Sequence, residues 1–309
     1  MKRKLKVSTQ ITVTLNQLER CKTLLGTFVE IELKGEVADD ELIALSEVLF
    51  DEIERIEQTL SFHSETSELT SLNRQALSLA NRFEPSGQTL SIAISKDLNR
   101  VLSFALELNK FTRGLYDVTV APSLILNEQL PNHLSLNVTS QNCILAFGNS
   151  SNMSCKESVV HIDKPLCIDL GGIAKGYAVD CALSKVPAHI YCCINAGGDL
   201  AINQWKNEKV GIKYNKQRNA LKHVKMQNCA LATTGNYHRE NKSAIVQPST
   251  GKHVKFKGSM SVFSSQAMLS DALTKAMILS SRSQKRKIAK YYNAQAIKIN
   301  RLGFVKLYY

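Results

Sequence analysis

The chain has 309 residues, 44% of them hydrophobic, enough to bury a substantial core in one large domain or two of ordinary size. Lys and Arg total 39 against 27 Asp and Glu, a formal +12 that favours acidic partners. No RRM, KH, zinc-finger or helix-turn-helix pattern accompanies that charge, so nucleic acid is not the expected partner, and no apolar stretch reaches the roughly 18 residues of a membrane span.

In chain order, residues 1–20 carry Lys2, Arg3, Lys4 and Lys6 without a clear period and read as a basic arm or an added edge strand. From Phe28 to Leu33 the residues alternate apolar and polar, which predicts a half-buried strand closed by Lys34-Gly35. Asp39-Asp40-Glu41 then places acids in a first helical turn, and Leu42, Leu45, Leu49, Ile53, Ile56 and Leu60 mark one face of a long helix. A polar loop from Ser61 to Thr66 feeds a short helix with Ser67 as its expected N-cap. Residues 88–109 read as a further amphipathic helix through Leu90, Ile94, Leu98, Val101 and Leu108, followed by a short extended stretch over 115–122.

Residues 127–157 are rich in Asn, Ser and Gln, show little periodicity and read as a variable hairpin insertion. A strand-like run, Leu166-Cys167-Ile168, leads into the Gly171-Gly172 pair and then an amphipathic run with Ile173 and Tyr177 on one face, a strand-turn-helix pattern. Paired glycines let a ligand approach the backbone, and a helix's first N–H groups favour an anion there. Lys175 in that first turn is poorly placed for the helix dipole and needs a negative partner; an ordinary turn with a solvated Lys is the alternative.

The remainder alternates short β-like runs, at 190–195, 210–212, 223–226, 230–233, 244–246 and 260–263, with a helix from 266 to about 280 and two final runs at 294–299 and 303–307. Arg282, Lys285, Arg286, Lys287 and Lys290 read as a solvated basic face. No linker or repeat divides the chain, so the expected fold class is α+β: one domain over residues 21–309, with largely antiparallel sheets flanked by helices, behind a 1–20 arm. The eight cysteines lie mostly in apolar runs with no C-x-x-C pair, which predicts reduced thiols and neither a zinc site nor a disulfide framework. Polar residues interrupt Val7 to Leu18, so no secretory signal is read, and the expected location is cytoplasmic.

Walker, Rossmann, H-E-x-x-H and nucleophile-elbow patterns are missing. Present instead, in order, are Leu25-Gly26-Thr27, Ser64 to Asn73, Gly114 to Thr119, Asp169 to Asp180, Asn195-Ala196-Gly197-Gly198-Asp199, Thr233 to Tyr237, Pro248-Ser249-Thr250-Gly251 and Asp271-Ala272-Leu273. Together these resemble the ApbE family, the FAD:protein FMN transferases, over roughly residues 24–282. The resemblance implies an α+β, T-fold-related domain and transfer of the FMN half of FAD onto a Thr or Ser hydroxyl of a target flavoprotein, with AMP released and a magnesium ion at the pyrophosphate. A catalytically impaired FAD-binding module and an FAD pyrophosphatase are the alternatives.

By resemblance, Leu25, His63, Leu115, Tyr116, Asp117, Asp169, Lys175 and Val246 contact the cofactor. Asp271 and Lys175 carry the chemistry, and Gly172, Asp271, Thr274 and Lys275 stand at the metal. Three departures are visible. The family's D-A-x-x-T pattern places Lys275 where a Thr belongs, with Thr274 one residue early, so either Thr274 reaches the ion or Lys275 replaces part of its charge, unless Asp271 and Lys275 form a plain surface pair. Ala244 and Gln247 replace the His and the acid of the H-x-[IV]-[DN]-P-x-T-G turn, which would pass any base role to His238, His253 or water. Asn236 replaces an Asp, with Thr234 beside it.

Overall fold

The computed structural model describes residues 15–81, 89–215, 220–235 and 245–309. Strands β1 (Asn16–Leu24) and β2 (Thr27–Gly35) form a hairpin, followed by α1 (Asp39–Leu60), α2 (Glu68–Ser78), β3 (Leu90–Ala93), α3 (Lys96–Thr112), α4 (Ala121–Leu126) and α5 (Gln141–Ile144). Next come β4 (Met153–Lys156), β5 (Val159–Ile162), α6 (Ala174–Leu183), β6 (Tyr191–Ala196), β7 (Asp199–Ile202), β8 (Lys209–Asn215), β9 (Ala220–Lys225) and β10 (Ala230–Gly235). The chain ends with β11 (Ser259–Ser264), α7 (Ala267–Leu279), α8 (Arg282–Tyr291), β12 (Gln295–Ile299) and β13 (Val305–Tyr308).

Eight strands form one antiparallel sheet in the order β1-β2-β6-β7-β10-β11-β12-β13, which makes the architecture α+β. Period-two alternation gives each strand two faces. One face, with Val29, Ile31, Ile194, Ala201, Met260 and Val262, joins the main core beneath α1, α6 and α7. The opposite face, with Ile202, Leu231, Phe263, Ile297 and Ile299, is covered by Ile212 and Met226 from the β8–β9 hairpin region.

The long periodic elements form where the hydrophobic pattern places them. Leu42, Leu49, Ile53, Ile56 and Leu60 of α1 are buried, and Ser67 caps α2 by accepting from the Thr70 N–H at 3.0 Å. Phe28 is exposed, and Val29, Ile31 and Leu33 are the inward set of β2. Residues 16–20 lie within β1, an edge strand of the sheet, in keeping with the edge-strand alternative for this segment; residues 1–14 lie outside the described residues.

Several elements differ from expectation for identifiable reasons. Leu90 and Ile94 were expected in one long helix, but β3 pairs with β5, and Ser95 starts α3 by accepting from the Leu98 N–H. The hairpin expected within 127–157 does not form there: only β4 falls in that range, after α5, and it pairs with β5 just beyond it, the two completing a three-stranded sheet with β3. The run 166–168 joins no ladder: the Asn73 side chain of α2 gives and takes a 2.8 Å hydrogen bond with the Ile168 backbone, as a neighbouring strand would. The basic residues after Ser281 form α8, started by a Ser281–Gln284 capping box, with Lys285 buried and donating to the Ser280 carbonyl.

Candidate active site

A cleft of about 560 Å³ opens where the β1–β2 turn, the end of α1, the 116–120 loop, the Asp169–Gly172 turn and the start of α6 converge. Its size suits a cofactor-sized ligand. Leu25, Ile56, Leu60, Phe62, Val118, Val120 and Leu124 give it an apolar lining, while Asp169, Lys175 and Lys275 bring charge.

The β1–β2 turn consists of two residues, Leu25 (φ 56°) and Gly26 (φ 67°), between the paired Leu24 and Thr27. Two positive φ values in a two-residue loop are the hairpin geometry that matches strand twist. A leucine is strained there. Glu57 of α1 accepts the Leu25 N–H at 2.8 Å and holds the turn over the cleft.

The charged group is assembled from three separate segments. Lys175 comes from the first turn of α6, Asp199 from the start of β7 and Asp271 and Lys275 from α7. Lys175 Nζ lies 2.9 Å from Asp199 Oδ2 and 3.6 Å from Asp271 Oδ2, and the Lys275 ammonium pairs with Asp271 Oδ1. The side chains of Asp271 and Asp199 are 0% and 5% exposed, whereas Lys175 and Lys275 keep 26% and 20%. The carboxylates therefore lie behind the ammonium groups, and the ammonium groups line the cleft.

Burial opposes the charge on Lys175, but Asp199 and Asp271 outweigh it and hold its pKa above the ordinary lysine value. Burial likewise opposes the charge on Asp271, and Lys175 with Lys275 overcomes it, keeping that carboxyl below its usual range. Asp199 goes the other way, pushed up by burial and by the neighbouring Asp271 charge.

Other expected ligand contacts separate into two groups. Leu25, His63, Tyr116, Asp117, Asp169, Lys175 and Val246 all border the cleft, as do Gly172 and Lys275. Leu115 does not: it faces a second cavity with Phe111, Arg113, Gln284 and Lys287. The Asp117 carboxylate is taken up internally, accepting from Thr119, Ser150 and Asn109, so it holds the 116–119 turn in shape. Asp169 accepts the Gly171 N–H at 3.2 Å, which shapes the bend before α6.

Thr274 is fully buried behind the cleft-lining Thr234 and does not itself border the cleft, donating to the Asp271 carbonyl and lying 2.7 Å from Thr234 Oγ1. Val246 bridges His253, and Ile245, Val246 and Pro248 close one wall. Asn236, His238 and Ala244 lie outside the described residues. Sequence reasoning did not list Asp199 or Glu57 as site residues; the Gly197-Gly198-Asp199 motif was the available signal for the first, and nothing local marked the second.

The magnesium site implied by the resemblance does not fit these side chains. Magnesium prefers several oxygen ligands in octahedral array. Here the Thr274 hydroxyl is engaged elsewhere, Lys275 as an ammonium has no lone pair to give, and Asp271 Oδ1 is already paired with it. Among the side chains expected at the metal, Asp271 Oδ2 alone is a buried acceptor without a hydrogen-bond donor, with Lys175 3.6 Å from it, and the Gly172 backbone at the cleft adds one carbonyl oxygen, short of the set an octahedral ion takes. Among the described residues no group of three or more His, Cys, Asp or Glu side chains gathers where it could hold a metal ion. Two unit charges about 4 Å apart interact by about 4 kcal/mol at an effective dielectric of about 20, so a divalent ion beside either ammonium would meet about twice that repulsion.

Fold and site together define an α+β protein with a deep, mostly apolar cleft that presents fixed cations to an anionic ligand. The chain belongs to the ApbE family, whose sequence pattern matches residues 25–298. Among solved structures it is similar to the flavin transferase ApbE from Vibrio cholerae, at 22% identity and a TM-score of 0.74 over 96% of this chain and 97% of that one. It is also similar to the ApbE protein of Thermotoga maritima, at 23% identity and a TM-score of 0.75 over 95% and 97% of the two chains. The apo flavinyl transferase ApbE of Pseudomonas stutzeri aligns at 18% identity with a TM-score of 0.73 over 96% and 95%. Among curated proteins none matches.

Proposed function

We propose that this chain is an FAD:protein FMN transferase, moving the FMN half of FAD onto a Thr or Ser hydroxyl of a target flavoprotein and releasing AMP. The observation that carries the reading is the pair Lys175 and Lys275, seated on buried carboxylates beside the Gly171-Gly172 bend and facing a mostly apolar cleft. A flat ring system suits the apolar walls, and a diphosphate suits the ammonium groups. Family membership and the flavin transferase named for Vibrio cholerae support the same assignment.

In the reaction the acceptor oxygen bonds to the FMN phosphorus and the bridging P–O bond breaks, its electron pair leaving with AMP. The hydroxyl proton passes to water. Phosphoryl transfer of this kind depends mainly on positioning and on neutralising charge at the transferring and leaving phosphates. Lys175 and Lys275 supply fixed positive charge, while Leu25, Phe62 and Tyr116 shape the wall against which the ring would lie. No step is assigned to magnesium, whose expected donors do not fit.

The domain proposed to carry this activity covers the expected residues 21–309 together with residues 16–20, which belong to β1 of its main sheet. All eight cysteines are free, which supports a reducing, cytoplasmic setting. No helix among the described residues is long and apolar enough to cross a membrane. Incubation with FAD and candidate acceptors should yield a covalently flavinylated band and an equal amount of AMP by chromatography. Free FMN with no labelled acceptor would assign the pyrophosphatase reaction instead, and FAD binding with no AMP would assign a binding module.

A further inference from the structure

The cation that faces the cleft at Asp271 is part of the polypeptide. Lys275 reaches from α7 so that its Cε lies 3.5 Å from where a Cβ on Gly172 would stand, placing the side chain between the glycine bend and Asp271. Asp271 itself has no exposed side-chain surface, so an ion in the cleft would have to displace an ammonium to reach the carboxylate. Lys175 and Lys275 are the cations that face the cleft, with Asp199 and Asp271 behind them and Asp169 at the bend.

We infer that Lys275 takes the place of a divalent ion in this chain, so that it holds the diphosphate of its dinucleotide without a metal. This deepens the transferase reading and rests on it for the identity of the ligand. The electrostatic claim concerns binding, however, and is separable from turnover. An ammonium tethered four residues from Asp271 on the same helix face is always present at the site, whereas a metal must be captured from solution. A Lys supplies one positive charge where magnesium supplies two, and Lys175, 3.6 Å from Asp271, stands beside it as a second cation.

The test is FAD binding by flavin fluorescence, with inorganic pyrophosphate as a second probe by calorimetry, each in chelator and in excess Mg²⁺. Electron spin resonance reports whether Mn²⁺ is bound in the presence of FAD. Wild type should bind FAD equally well in both conditions and take up no Mn²⁺. Lys275→Thr, which restores a hydroxyl, should bind about tenfold more weakly in chelator, recover with Mg²⁺ and bind one Mn²⁺. Lys275→Met should be weak in both.

A wild-type affinity that falls about tenfold in chelator, or stoichiometric Mn²⁺ on the wild type, overturns the inference. Those wild-type measurements decide it even where the variants do not fold. If FAD does not bind but pyrophosphate does without metal, the flavin reading fails and the role of Lys275 stands. Pyrophosphate binding only with Mg²⁺, or not at all, overturns it.

Discussion

Gly176 of α6 lies so close to Ala267 of α7 that a Cβ on the glycine would stand 2.3 Å from the Ala267 carbonyl oxygen and 2.6 Å from the Met268 nitrogen. This contact sets the spacing of the helices that carry Lys175 and Asp271. Neither obstructing atom is on a flexible side chain, so Gly176→Ala must push the helices apart. Overpacking of this kind costs about 1–3 kcal/mol, and backbone obstruction puts it at the upper end. Urea unfolding should show the loss, together with weaker FAD binding; a variant as stable as wild type would mean the helices are not held at this distance.

Lys175 compensates two buried carboxylates at once. Lys175→Met leaves Asp199 and Asp271 facing each other with only Lys275 between them and the cleft, and breaking a buried pair costs about 3–5 kcal/mol. Thermal unfolding should report that destabilisation, and Asp199→Asn in the same chain should restore part of it by removing one stranded charge. FAD affinity should fall in Lys175→Met and stay low in the double variant. Recovery of affinity along with stability would show that Lys175 acts on the fold alone.

Asp180 accepts the N–H groups of Ala267 and Met268 at 2.7 and 2.8 Å, serving the start of α7 from a neighbouring helix. Burial pushes its carboxyl up to about 6, against the opposing pull of those two backbone bonds. The folded protein therefore holds this proton across a range in which the unfolded chain, with a carboxyl near about 3.9, has released it. Its contribution to stability is largest below about pH 4 and is lost as pH rises to about 6. Asp180→Asn should remove that slope, so the stability difference between the two proteins should change across this interval and be flat above it. A difference independent of pH from 4 to 7, roughly, would remove Asp180 from the titration.

Cys143 is the thiol most readily ionised among those whose environment shifts them. Hydrogen bonds from Ser140, 3.3 Å away, and Thr139, 3.6 Å away, lower its pKa to about 7. Buried Cys167 and Cys192 are pushed up instead. Iodoacetamide followed by peptide mass mapping should label Cys143 first, with a midpoint at about pH 7. Ser140→Ala should move that midpoint upward, and an unchanged midpoint would show that Ser140 does not stabilise the thiolate.

Much of the molecule was legible before folding because single elements carry strong local patterns. The stripe along α1, the Ser67 cap, the alternation in β2 and the glycine bend before α6 each depend on residues close in sequence. The ordered small motifs likewise pointed to the ApbE family, and most of the cleft wall lies on them. Local pattern failed where a partner from elsewhere decided the outcome: β3 needs β5, 70 residues or so along the chain, and the extended run ending at Ile168 needs the Asn73 amide.

Residue identity alone determined that a lysine follows Thr274 and that two carboxylates and two lysines were available to one site. Their roles were decided by tertiary structure. Helix α7 is buried almost all round, so its sequence gives no polar face by which to orient it, and adjacent residues on a helix point about 100° apart. Packing against β10 turns Thr274 toward Thr234 and leaves Lys275 toward the cleft. The same packing buries Asp199 behind Lys175, because a carboxylate can stay charged out of water only where the fold brings a cation to it.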